Sequence, residues 1–316
     1  MKKKQMLFLY NPYSGKGTIK NKLSDVIDLF VKNDYEVVVR PTQPGQDRDL
    51  YETVKNFKYP YDIVACCGGD GTINGVISGM MERHDRIPIG YIPTGTVNDF
   101  ASSLHIPKNI MKAAEQIVEG YPFPCDIGTH GGETFVYVAA FGMFTDVSYA
   151  TNQQLKNVFG QAAYLMEGVK RLSKLPKYHV KVSYDDQIIE DDFVVGMVTN
   201  SKSVGGFRSL IGSKVYFDDG LFEVTLVKYP RNLIELNHIA GSLVSGKLDP
   251  NHIYQFRAQK ILFESWDDIS WTRDGEYGGT FQKVEVENHQ QAIKIMVSED
   301  HLKSVASDKS QGSLLS

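Results

Sequence analysis

Residues 68–72 read Gly-Gly-Asp-Gly-Thr and follow directly on the apolar run YDIVACC. The missing side chains at Gly68, Gly69 and Gly71 leave backbone amides bare, so a bulky anion can lie against them. A helix starting at the same point aims the partly positive end of its dipole there. Thr72 can cap that helix and donate its hydroxyl. Asp70 is the odd member, because a carboxylate beside phosphate repels it unless a cation lies between them. Mg²⁺ shared by carboxylate, water and phosphate is the usual resolution. Two more turns, NPYSGKG (11–17) and GTVNDFA (95–101), repeat this small and polar chemistry. NPYSGKG lacks the glycine–lysine spacing of a Walker A loop, and the first turn holds no GxGxxG. One glycine turn with a solvated Asp needs no ligand. Three such turns along one sheet edge are better explained by a nucleotide phosphate. Asp99 reads either as a second carboxylate of that site or as a helix N-cap, and the roles are compatible.

A second group lies far down the chain. DGEYGG (274–279) places Asp274 and Glu276 two apart beside glycines. On a strand, residues two apart share a face, so both could look into one cleft. The alternative is a hairpin turn with solvated acids. FDDGLFEVTLV (217–227) reads from its residues as a hairpin turn entering a strand.

The elements that must carry these turns alternate over the first 125 residues. MLFLY (6–10), YEVVVR (35–40), YDIVACC (61–67) and IPIGYIP (87–93) read as strands. Helical spacing covers 23–33, with Leu23, Val26, Ile27, Phe30 and Val31 on one face. Further helices are expected over about 46–57, 72–83, 98–103 and 109–119. Strands that are apolar throughout and separated by helices indicate a parallel sheet covered on both faces, whose ligands bind beyond the carboxyl ends of its strands. After YPFPCDIG (121–128) the pattern changes to alternating β segments: 133–142, 178–186, 187–200, 220–230, 252–265 and 280–288. These favour an antiparallel sandwich or barrel-like domain, interrupted by helices at 157–174 and 232–245. A last apolar strand (292–299) precedes a polar tail, SDKSQGSLLS, expected to fray. The expected domains are 1–126, α/β, and 127–296, all-β, with 297–316 packing back onto the first.

Composition excludes several classes. The net charge of −4 over 316 residues gives no basic field for nucleic acid. No apolar run approaches the ~18 residues of a membrane span. The N-terminal MKKKQMLFLYNP is better read as a buried first strand than as a secretory signal. Three cysteines, two of them adjacent, cannot frame a disulfide scaffold and read as small reduced hydrophobes in a cytoplasmic protein. The histidines show no ligand spacing and read as surface or capping residues.

GGDGT, preceded by NPYSGKG and followed by GTVNDFA, resembles the diacylglycerol kinase catalytic-domain superfamily, and more narrowly its soluble bacterial lipid kinases. GGDGT alone is shared with NAD kinases. TNSKSVGGFRSLIGSKVYFDDGLFEVTLV (199–227) and DGEYGG match later motifs of the family in order, so the likeness spans most of the chain. It implies an ATP- and Mg²⁺-dependent kinase acting on the hydroxyl of diacylglycerol or a related lipid alcohol. The nucleotide would lie on the first domain, touched by Asn11, Ser14, Gly15, Lys16 and Thr42. Gly68, Gly69, Asp70, Gly71, Thr72 and Asn74 would form the phosphate loop, completed by Thr96, Asn98 and Asp99. Glu276 would be the base, with Asp274 close by, in an acceptor cleft between the domains. A structural Mg²⁺ would be held by Asp219 and the main-chain carbonyls of Tyr216 and Leu221. The family is cytoplasmic, visits the inner face of the membrane as a peripheral enzyme, and is often homodimeric. A basic apolar stretch (160–181) reads as a lipid contact or as a core helix with a solvated end. Gly75 and Ser102–Ser103 depart from the family, which has acidic and basic residues there. The rival readings are an NAD kinase and a non-catalytic nucleotide- or lipid-binding homologue.

Overall fold

The computed structural model describes residues 3–43, 49–142, 175–201, 215–245 and 247–312, with Lys16, Val244 and 309–312 described by backbone only. The chain forms two compact units. The first comprises Met1–Ile127, Tyr216–Asp219 and Gln290–Ser316, and the second Gly128–Val215 and Gly220–His289.

In the first unit, β1 (Lys4–Tyr10), β2 (Tyr35–Pro41), β3 (Ile63–Gly68) and β4 (Ile89–Pro93) pair in parallel in the order β2-β1-β3-β4. β3 and β4 are buried at every residue, which is why both read as unbroken apolar runs. Helices α1 (Leu23–Lys32), α2 (Asp49–Asn56), α3 (Asp70–Met81), α4 (Asp99–Ser103) and α5 (Ile110–Glu119) accompany the strands. α1 packs on α5 and β2, and α2 packs on α3, which lies against β3. The start expected for the second helix falls partly in 44–48, outside the described residues.

α3 meets α2 along a groove of glycines. A side chain at Gly79 would lie 2.6 Å from the Tyr51 carbonyl, and one at Gly75 would press on Leu50 at 3.1 Å. The family's acidic residue at position 75 has little room in this packing. Arg83, just beyond α3, closes the other end of α2. Its guanidinium donates to the carbonyls of Val54, Lys55 and Phe57 and stacks 3.7 Å from the Phe57 ring.

The strand pairs within the second unit are antiparallel from β6 to β12. β5 (Tyr121–His130) brings the chain into it, followed by β6 (Glu133–Phe135), β7 (Val138–Gly142), β8 (Tyr178–Tyr184), β9 (Gln187–Thr199), β10 (Phe222–Lys228), β11 (Ile253–Ala258), β12 (Lys260–Arg273) and β13 (Glu276–Val297). β9 pairs with β7 through one half and β8 through the other, and β12 also pairs with both, so these four strands close a barrel-like circuit. Its interior holds Trp271 against Phe141 (4.8 Å between rings) and Phe263 (5.0 Å), with Val182, Val224 and Val286 in the same cluster. Helix α6 (Leu233–Ser245) packs through Ile239 and Leu243 on Val195, Met197 and Val227.

Several expectations are corrected. The apolar run at 292–299 is not a separate strand but the end of the 22-residue β13, whose Ile295 pairs in parallel with Ile89 of β4. The polar tail does not fray at 307: α7 (Glu299–Gly312) continues into it as far as 312, and the rest of the tail lies outside the described residues. That helix buries His301 against Phe123 at 5.0 Å, and the Tyr216 hydroxyl donates to the Asp308 carbonyl. His301 and His130 are therefore core residues rather than surface ones. The helix expected at 157–174 lies outside the described residues, and with it most of the basic stretch. Its described lysines stand in or beside β8 and face acids: Lys177 meets Asp192 at 2.8 Å, and Lys181 approaches Glu264 at 3.9 Å. Cys66, Cys67 and Cys125 are buried free thiols. Burial pushes the Cys67 thiol up to about 12, so it is no nucleophile at neutral pH.

Candidate active site

The glycine turns converge at the carboxyl ends of β1, β3 and β4. They do so by nesting against one another. A side chain at Gly69 would lie 3.3 Å from the Gly95 Cα, and Ser14 Oγ stands just beyond at 3.7 Å. Gly15, at φ +55°, lies so close to the Thr94 carbonyl that no side chain fits. The glycines at 68 and 69 are thus needed by the protein's own packing, and the space over Gly68 is filled by Thr72 rather than by a ligand.

Asp70 is the first residue of α3, with Gly69 at the N-cap and no side-chain cap. Thr72 does not hold the cap position: it is the third residue of α3, buried, and its N–H donates to the Gly69 carbonyl. The Asp70 carboxylate reaches across to the next turn, where Oδ2 accepts the Asn98 N–H at 2.9 Å. Asn98, at φ +55°, accepts from Gly95 N–H at 2.9 Å and donates Nδ2–H to the Gly95 carbonyl at 2.7 Å. Its amide is thereby engaged in closing its own turn. Asp99 is the first residue of α4 and buried, while Asn98 holds the cap position, so the capping reading of Asp99 is not what the structure has. Thr96 is exposed.

Asn11 anchors its loop by donating to the Cys67 carbonyl at 2.8 Å and accepting Tyr13 N–H at 2.9 Å. Thr42 N–H donates to the Tyr10 carbonyl, placing Thr42 beside the end of β1. Asn74 lies one turn into α3, where its side chain accepts from Ser78 at 3.3 Å. The Lys16 side chain lies outside the described residues.

Sequence reasoning missed two groups here. A cavity of about 670 Å³ opens beside the 94–98 turn, lined by Gly15, Thr96 and Asn98 but also by Thr18, Lys22, Lys108 and Asn109. No motif joins those residues; the 3₁₀ helix Ser14–Asn21 and the start of α5 bring them together. The other is Asp126, fully buried in CDIG, which accepts Gln291 N–H at 2.7 Å. Asp126 and Asp218 both add negative charge at Cys125, raising further a thiol that burial has already pushed well up. Carboxylates gathered in a buried place suit a cation. Among the described residues, however, no three His, Cys, Asp or Glu side chains stand together as a metal site. A cation at 216–221 would need main-chain oxygens as its other ligands, and an oxygen-only donor set fits a hard ion such as Mg²⁺.

The DGE turn belongs to the second unit. Asp274 (φ +50°) and Gly275 (φ +85°) form the two-residue turn between β12 and β13, and Arg273 pairs with Glu276 across it. Asp274 and Glu276 therefore do not share a strand face, because the turn intervenes. Glu276 is exposed.

Glycine turns thus stand at the strand ends of an α/β unit, and the same chain continues into a β-rich unit. Residues 5–130 match the diacylglycerol kinase catalytic domain, and 137–297 match the YegS C-terminal NAD kinase beta sandwich-like domain. The chain is 35% identical over 279 residues to a diacylglycerol kinase of Staphylococcus saprophyticus, covering 88% of this chain and 90% of that one. A putative diacylglycerol kinase from Bacillus anthracis shares the fold at TM-score 0.74 and 25% identity, covering 95% and 97% of the two chains. An NAD kinase from Archaeoglobus fulgidus in complex with ATP is more distant, at TM-score 0.53 and 13% identity over 96% and 98%. The chain belongs to the diacylglycerol kinase family. It is a lipid kinase, a phosphotransferase with a hydroxyl acceptor.

Proposed function

We propose that the chain transfers the γ-phosphoryl group of ATP to the hydroxyl of diacylglycerol or a closely related lipid alcohol. The observation that supports this reading best is the Asp70–Asn98 hydrogen bond, which ties two glycine turns together around a carboxylate. In this reading the first domain, 1–126, binds ATP through Asn11, Ser14, Gly15, Lys16, Thr42, Gly68, Gly69, Gly71, Thr72, Asn74, Thr96 and Asn98. Asp70 and Asp99 serve the phosphate end. The domain 127–296 brings Glu276, which takes the proton of the acceptor hydroxyl as its oxygen attacks the γ-phosphorus. Asp219, with the main-chain carbonyls of Tyr216 and Leu221, is the donor set for Mg²⁺, which when bound supplies positive charge. Catalysis rests on positioning and charge neutralisation rather than on a covalent intermediate.

The acceptor is amphiphilic, so the enzyme works at a membrane surface without being embedded in it. No helix among the described residues is long and apolar enough to cross a membrane. A cytoplasmic enzyme that visits the inner face of the membrane, as a homodimer, completes this reading.

The test is transfer of labelled γ-phosphate into lipids in mixed micelles with Mg²⁺, comparing wild type with Glu276→Ala and Asp70→Ala. A labelled lipid that depends on both residues supports the reading, and its mobility identifies the acceptor. Label in NAD instead would assign an NAD kinase. ATP binding with no labelled product would leave a binding protein.

A further inference from the structure

The two acids of the DGE turn are placed differently, and the difference has a mechanistic consequence. Each polar atom of Asp274 is bonded to Val136–Val138. Oδ2 accepts the Val136 N–H at 2.7 Å, and Oδ1 accepts those of Tyr137 at 2.9 Å and Val138 at 3.0 Å. The Asp274 N–H donates to the Val138 carbonyl at 2.8 Å, and its carbonyl accepts the Tyr137 hydroxyl at 3.0 Å. The clamped segment is itself anchored, since Tyr137's carbonyl accepts the Asn200 N–H at 3.0 Å and Val138 pairs with Thr199. Three stretches far apart in sequence, 136–138, 199–200 and 274–276, which the β7–β9 and β7–β12 pairings bring side by side, thus share one junction.

The hairpin tip needs such an anchor. Only Arg273–Glu276 and Thr272–Tyr277 pair before the register shifts, so a bulge follows the turn almost at once. The β12 arm is also paired with β7 up to Arg273–Ala139, but the β13 arm that carries Glu276 has only these two rungs before the bulge. Three backbone N–H groups converging on one carboxylate supply that anchor, and they favour its ionised form.

The geometry points to Asp274 as the positioning residue for Glu276: an ionised clamp that fixes the turn presenting the base. It is neither a proton carrier nor a metal ligand. This inference rests on the proposed reading of Glu276 as the base.

The experiment uses the full chain in the mixed-micelle assay, with wild type, D274N, E276Q and D274N/E276Q. Asn keeps the shape of Asp but turns an amide N–H toward a backbone donor. D274N is expected to lower kcat about 10–100-fold, with KM for ATP and the Mg²⁺ requirement unchanged. In the E276Q background the same change is expected to cost less than about twofold, because the base it positions is already gone. E276D serves as the background if E276Q leaves no measurable rate. An unchanged kcat in D274N, a shifted Mg²⁺ requirement, or the same loss in both backgrounds would overturn the proposal. If E276Q is as active as wild type, the base reading fails rather than the clamp. The clamp is then judged by hydrogen exchange at the amides of Val136–Val138. D274A should accelerate it at least about tenfold, and no acceleration would overturn the clamp itself.

Discussion

Asp70 stands at the first helical position of α3 and reaches across to the Asn98 N–H. A carboxamide oxygen can accept the same bond, whereas alanine cannot. Asp70→Asn should therefore keep the two turns together, shifting stability by no more than ~0.5–1 kcal/mol by urea unfolding. Labelled transfer should still fall by ~10²–10³-fold, because the charge is lost. His130 makes a different prediction. It is fully buried against Trp271 and Phe281, and neither ring nitrogen has a hydrogen-bond partner among the described residues. Burial, and then the charge of Arg273, pull its pKa from 6.5 down to about 3. Above the unfolded value both states are neutral and His130 adds no pH dependence. Below it the unfolded chain takes up the proton first, so stability falls as pH drops from about 6.5 toward about 3. The loss between about pH 7.5 and pH 5 should be ~2 kcal/mol. His130→Phe should flatten that part of the urea-midpoint profile, and an unchanged slope would remove His130 as its source.

The elements predict losses where α2 and α3 meet. A methyl group at Gly79 would strike the Tyr51 carbonyl at 2.6 Å, and that atom is backbone. Gly79→Ala should therefore destabilise by ~1–3 kcal/mol, although alanine is the better helix former. Arg83→Ala would leave the carbonyls of Val54 and Lys55 in α2 and of Phe57 just after it without their charged donor, and should cost ~2–3 kcal/mol. Both are read from denaturant midpoints at fixed slope. The parallel elements were legible because their signals are local: β3 and β4 are unbroken apolar runs, and each ends in glycine or proline. The join of 280–288 with 292–299 into one strand was not. Nothing in His289–Gln290–Gln291 announces that β13 carries on, and Gln291 sits at φ +51° within it.

For the molecule as a whole, the C-terminal segment behaves as part of the first unit. α7 buries His301 against Phe123, so removing residues from Glu299 onward would take His301 away and uncover the Phe123 ring. That truncation should lower the thermal midpoint and make it less responsive to added ATP, since a ligand stabilises only the fold that binds it. Chelating Mg²⁺ with EDTA should abolish transfer, and added Mg²⁺ should restore it. Persistent transfer in EDTA would exclude the metal from the reaction.

The amino-acid sequence by itself determined the strand-and-helix alternation, the change to β segments after 128, and the glycine turns with their carboxylates. These depend on residues within a few positions of one another, through side-chain periodicity and turn chemistry. Only the tertiary structure decided what the turns do. Glycines that read as room for an anion are partly consumed by Thr72 and Gly95. Asp70 is tied to Asn98, 28 residues on, and Asp274 to a segment about 137 residues earlier. The physical reason is that a carboxylate carries no local mark of which distant N–H groups will meet it. Packing chooses those partners, and with them whether an acid is left exposed, as Glu276 is, or bound to backbone, as Asp274 is.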